Sequence, residues 1–120
     1  MTIKGLIDKV REEKPNTFSD AKLIEFINEI EIEVAEQLSE EFEQAYTIQD
    51  MDAVLKAPAP YDRLYTSYVK AMVDYANEEY ESYSNNQAQH VQDFKDFVDW
   101  IVREEVAVNH VYPTRFRNIY

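Results

Sequence analysis

Cysteine is absent from this chain of 120 residues, so neither a disulfide nor a thiolate metal site is available to it. Glycine occurs once, at Gly5, and proline four times, too few for the many tight turns of a β-sandwich or barrel. No apolar run approaches the ~20 residues of a membrane span, and the first residues lack the apolar core of a signal peptide. Basic side chains are scarce, 12 against 24 acidic ones, for a net charge of −12. Without clustered Lys and Arg, such a body is not expected to coat nucleic acid or an anionic membrane. What is present is a hydrophobic content of 45 %, which argues against disorder. The expectation is one soluble, intracellular, all-α domain.

The negative charge is unevenly placed. Eight glutamates lie between Glu25 and Glu43, and no lysine or arginine occurs between Lys22 and Lys56. Glu25, Glu29, Glu33, Glu36, Glu40 and Glu43 recur at steps of four and three, which stacks them along one side of an α-helix. Uncompensated, each like-charged i,i+4 pair costs about 0.2–0.5 kcal/mol. Such a ridge is either a solubilising face or a surface with a task. At the other extreme, residues 1–105 hold all 24 acids and ten of the 12 bases, whereas residues 106–120 hold Arg115 and Arg117 and no acid.

Periodicity predicts a small bundle of about four helices over residues 1–105, followed by an extended C-terminal arm over 106–120. Thr2 caps a first helix to residue 13, with Ile3, Leu6, Ile7 and Val10 on one face, and Lys14-Pro15-Asn16 breaks it. Ser19 caps a second helix, with Phe18 and Leu23 placed as a hydrophobic staple. Its buried stripe is Leu23, Phe26, Ile27, Ile30, Val34 and Leu38, and it is expected to run to about Phe42, or as far as Tyr46. A helical turn around Met51, Val54 and Leu55 and a stiff extended Ala57-Pro58-Ala59-Pro60 spacer are expected in the connection. Pro60 then opens a third helix carrying a seam of Tyr61, Tyr65, Tyr68, Met72 and Tyr75, with Leu64 beside it. Ser84 and Gln87 have capping-box spacing for a fourth helix, buried through Val91, Phe94, Phe97, Val98 and Ile101 and ending near Glu105.

The candidates for chemistry are few. His90 and His110 have no cysteine partner, and neither belongs to a Glu-x-x-His pair, so no metal or cofactor is expected. No Ser-His-Asp set, Gly-rich phosphate loop or metalloprotease motif is present, and an enzyme is not expected. The tyrosine seam reads as core packing with hydroxyls at the rim, part of it open to a neighbouring subunit. Stacking of nucleotide bases is disfavoured by the acidic surroundings. Ile32 and Trp100 point away from the predicted buried stripes and are candidate contacts to another subunit. In the arm, Tyr112, Arg115, Phe116, Arg117 and Tyr120 are further candidates. The arm either folds back on its own bundle or reaches a partner, and its charge, opposite to that of the body, favours the partner.

Several of these residues also form a familiar pattern. It comprises Tyr61-Asp62-Arg63-Leu64-Tyr65, Tyr68, Ala71-Met72-Val73-Asp74-Tyr75, Asn77-Glu78-Glu79-Tyr80 and Tyr83-Ser84-Asn85-Asn86. With the opening from Pro15 to Asp20 and with Phe26-Ile27-Asn28-Glu29, it resembles the small head–tail connector (adaptor) proteins of tailed bacteriophages and prophages of Gram-positive bacteria. The resemblance runs from about Leu6 to Arg103 and departs at Glu79, near which a glycine is expected. It implies a virion structural protein without catalysis: helical subunits in a homo-oligomeric ring, usually of twelve, docked beneath the portal protein in the capsid–tail neck after assembly in the host cytoplasm. The ring would extend the channel for duplex DNA and dock the next head-completion or neck protein. The glutamate ridge would then line the channel and repel DNA, or face outward, or meet a basic patch on a neighbour. The competing expectation is an acidic DNA mimic, or another protein-binding inhibitor, of phage or prophage origin.

Overall fold

A computed structural model describes residues 1–109 as a bundle of four α-helices without a sheet: α1 (Ile3–Glu13), α2 (Asp20–Gln37), α3 (Arg63–Ala76) and α4 (Tyr80–Asn109). The all-α reading holds. Ile3, Leu6, Ile7 and Val10 of α1 and Leu23, Phe26, Ile27, Ile30 and Val34 of α2 are all buried in one core with Leu64, Tyr65, Val69, Val73, Phe97 and Ile101. Both predicted N-caps are in place. Thr2 Oγ1 accepts from the Gly5 amide, and Ser19 Oγ accepts from the Lys22 amide. The remaining free donors at the start of α1 find acceptors in the loop before α3: Ile3 N donates to Ala53 O and Lys4 N to Met51 O. Leu55 N returns a bond to Met1 O, so the connection is stitched to the start of α1 and closes an isolated bridge between Thr2 and Val54.

The first correction is the end of α2. It stops at Gln37 rather than near Phe42, because Ser39 takes a left-handed conformation with φ 57°. Glu40 N then donates to Ala35 O and Ser39 N to Glu36 O, the paired bonds of a Schellman ending. The same closure ends α3, where Glu78 has φ 60°, Glu79 N donates to Asp74 O and Glu78 N to Tyr75 O. The conformation expected of a glycine is therefore present, carried by Glu78 and not by Glu79.

The connection also differs from expectation. Its helical turn is a 3₁₀ turn at Ile48–Asp50, earlier than predicted, because Thr47 and Asp50 form a reciprocal capping box. Residues 57–62 form a turn instead of an extended spacer: Ala57 is buried and Pro58 O accepts from the Tyr61 and Asp62 amides. Helix α3 accordingly begins at Arg63, not at Pro60.

Helix α4 begins at Tyr80 and passes straight through Ser84 and Gln87, so no cap forms there. Its buried face is His90, Asp93, Phe97 and Ile101, whereas Val91 is 59 % exposed. The expectation holds for Phe97 and Ile101, with Phe94 packed against the core, and fails at Val91, because two polar side chains are buried instead, each satisfied by α3. His90 Nδ1 lies 3.0 Å from Leu64 O, and Ser67 Oγ donates to Asp93 Oδ2 at 2.9 Å. This shift of face also places Trp100 differently. It is not turned away from the core but half-buried, stacked between Tyr61 (5.3 Å) and Phe97 (6.1 Å). Helix α4 continues to Asn109, past the expected ending near Glu105, and residues 110–120 of the predicted arm lie outside the described residues.

Candidate functional site

Three buried carboxyl groups organise the bundle. Glu31, fully buried on α2, accepts from Tyr65 Oη (2.5 Å), Tyr46 Oη (2.7 Å) and the Lys56 amide (3.1 Å). Tyr65 Oη in turn accepts from the Ala57 amide, so one carboxyl ties α2, α3 and the long connection together. Burial, reinforced by Glu31, pushes the Tyr46 and Tyr65 phenols well above their ordinary range. Asp74, fully buried near the end of α3, meets Lys14 Nζ at 2.6 Å and accepts from Ser82 Oγ and Asn86 Nδ2, joining the ends of α1 and α3 to the start of α4. Asp93 accepts from Ser67 and Gln89, with Arg63 Nε at 3.5 Å. These oxygens are occupied by internal donors, which makes the three groups ties within the fold. Among the described residues, no group of three or more His, Asp or Glu side chains is arranged to hold a metal ion, and no helix is long and apolar enough to cross a membrane.

Sequence reasoning missed all three. Glu31 falls outside the steps of four and three that define the glutamate ridge. Yet it stands four residues after Ile27 and three before Val34, on the buried stripe itself, which is the signal that could have found it.

The ridge is real but shorter. Glu25, Glu29, Glu33 and Glu36 are exposed along α2, whereas Glu40 and Glu43 lie past the Schellman ending and off the helix. Glu40 pairs instead with Lys56 at 3.0 Å, and Glu25 with Lys22 at 3.1 Å. Ile32 stands 50 % exposed between Glu29 and Glu36 by helical spacing. Burial, then the nearby Glu36 charge, raises the Glu33 carboxyl above its ordinary value.

Beside this ridge the tyrosine seam divides. Tyr65 and Leu64 enter the core, Tyr61, Tyr68 and Met72 are half-buried, and Tyr75 is 58 % exposed. Tyr75 packs against Tyr83 (5.3 Å) and Tyr80 (6.1 Å) of α4, and Tyr80 is itself 57 % exposed. Tyr68, two turns earlier on α3, meets the ridge: its hydroxyl donates to Glu29 at 3.4 Å, and its ring lies edge-on to His90. Burial, then the charges of Glu29 and Glu33, pushes its phenol up to about 12. The exposed Tyr75, with Tyr80 and Tyr83, and the half-buried Tyr68, with its α2 carboxylate, follow one another along the same side of α3. Such a surface suits a cationic, aromatic partner, since arginine pairs with carboxylates and stacks on tyrosine rings. The arm candidates Tyr112, Arg115, Phe116, Arg117 and Tyr120 lie outside the described residues.

Comparison with known proteins returned no matching family model, curated protein or solved structure.

Proposed function

We propose that this chain is a structural subunit of a phage neck, a head–tail connector that assembles as a ring under the portal, prolongs the DNA channel and docks the next neck protein. The reading rests on the pattern running from Pro15 to Asn86 that resembles such connectors. One observation carries it beyond resemblance. A bundle of this size keeps Tyr75 and Tyr80 57–58 % exposed and a row of exposed carboxylates along α2, a combination suited to contact with further subunits. Carboxylates turned to a lumen would let duplex DNA slide without adhering, because like charges repel across a narrow channel.

The test is direct. Purified protein mixed with portal rings should bind them, and label directed at this chain should decorate the neck of the particle in electron micrographs. Absence of the polypeptide from purified necks overturns the proposal. Salt-sensitive binding to a nuclease or repressor without portal binding establishes the competing DNA-mimic reading instead.

A further inference from the structure

The tyrosine and glutamate face and the basic C-terminal segment are complementary in charge, and chain length limits which parts of that face the segment can reach within one copy. The face combines Glu29 and Glu33 of α2 with Tyr68 and Tyr75 of α3 and Tyr80 and Tyr83 of α4. The segment after Asn109 carries Arg115, Phe116 and Arg117 and no acid. Helix α4 runs away from the face: by Trp100 and Arg103 it lies beside Tyr61, at the opposite end of α3, with Arg103 Nη2 3.2 Å from Tyr61 Oη. At 1.5 Å per residue, Tyr83 and Tyr80 lie about 39–44 Å from Asn109 along the helix. Arg117 is eight residues beyond Asn109 and extends at most about 29 Å from it, with Arg115 less. Even with their side chains extended, Arg115 and Phe116 therefore fall short of the Tyr75, Tyr80 and Tyr83 group of their own chain. Glu29, beside Tyr68 and His90, lies within one chain's reach, so only a second copy offers both parts of the face to them at once.

We infer that the segment around Arg115, Phe116 and Arg117 of one copy docks on the Tyr75–Tyr83 and Glu29–Glu33 face of a second copy. Arginines placed there relieve the crowding of like charges on α2 and stack on rings that the isolated bundle leaves exposed. The contact joins the far end of one α4 to the near end of the next. It is thus head-to-tail, the type that closes rings when the rotation per subunit permits. This inference rests on the connector reading for its biological purpose, but not for its chemistry. It assigns the ridge's central carboxylates to a neighbouring subunit.

The chain's lack of cysteine makes a clean test possible. Full-length Tyr83→Cys protein is mixed with full-length Phe116→Cys protein at near-millimolar concentration and oxidised. The expected product is a covalent dimer containing one of each, in clear excess over a control pairing of Phe116→Cys with Glu12→Cys, an exposed site on α1. In sedimentation of the full chain, Arg115→Glu with Arg117→Glu should weaken association about tenfold or more, as should Glu29→Lys with Glu33→Lys, and mixing the two variants should restore it. A mixed dimer no more abundant than the control, or charge-reversed variants that associate like the parent, overturns the inference. Those outcomes leave the connector reading to portal binding: a chain found in the neck that does not cross-link loses only this contact, and one that cross-links but is missing from necks loses only the connector role.

Discussion

At the scale of single residues, the buried carboxyls carry the sharpest expectations. Glu31→Ala strands the Tyr46 and Tyr65 hydroxyls and the Lys56 amide without their acceptor, and should cost on the order of 3–5 kcal/mol in urea denaturation. Glu31→Gln keeps one acceptor oxygen and should lose less. Acid should destabilise the protein in two stages. Burial lowers the His90 imidazole, against smaller opposing effects of the Leu64 carbonyl and Asp93. The unfolded chain thus binds its proton first, and stability present above pH 6.5 declines as pH falls through the lower native value. Burial acts to raise the Asp74 carboxyl, but Lys14, Ser82 and Asn86 outweigh it and hold the group below 3.8. That contribution is present above pH 3.8 and is lost as pH falls through the native value. Melting temperature against pH should show both declines. His90→Gln should flatten the first and Asp74→Asn the second, and a slope unchanged by either substitution contradicts the assignment.

At the scale of elements, the helix endings are the informative feature. Ser39 and Glu78 hold left-handed conformations that favour glycine, are exposed, and close α2 and α3. Ser39→Gly and Glu78→Gly should each stabilise the protein by about 1 kcal/mol, while Glu78→Val should destabilise it, as thermal unfolding can measure. These two residues also show why part of the fold was hidden in the sequence. The faces of α1 and α2 were legible because Ile3, Leu6, Ile7 and Val10, then Leu23 to Val34, repeat with helical period and little interruption. The end of α2 was not, since Ser39 looks like any helix-surface residue and the glutamates continue past it. The face of α4 was legible at Phe97 and Ile101 but not at its start: apolar counting favours Val91, whereas His90 and Asp93 are buried because α3 offers a carbonyl and a hydroxyl that no local pattern reveals. Trp100, half-buried between Tyr61 and Phe97, should cost about 2 kcal/mol on truncation to alanine, less than the roughly 3–5 kcal/mol of a fully buried aromatic. A melting temperature unaffected by Trp100→Ala contradicts that placement.

At the scale of the whole molecule, an excess of 12 negative charges works against packing many copies side by side, and association must offset that repulsion. Under the proposed connector role, two dispositions of the ridge make opposite demands on assembly. If Glu29, Glu33 and Glu36 all face a lumen, they contribute nothing to contacts, and reversing them to lysine lowers the net charge of each subunit from −12 to −6 without touching an interface. Rings should then form normally, and the defect should appear only as DNA held in the channel. If Glu29 and Glu33 receive Arg115 and Arg117 of a neighbour, the same reversal sets like charges against each other at every interface. Assembly itself should then fail, more severely at low salt, where charges separated by several ångströms are least screened. Portal-bound copies counted for the Glu29→Lys, Glu33→Lys, Glu36→Lys variant at low and high salt separate the two. We expect few at low salt, partial recovery at high salt, and near-normal numbers once Arg115 and Arg117 are reversed to glutamate in the same chain.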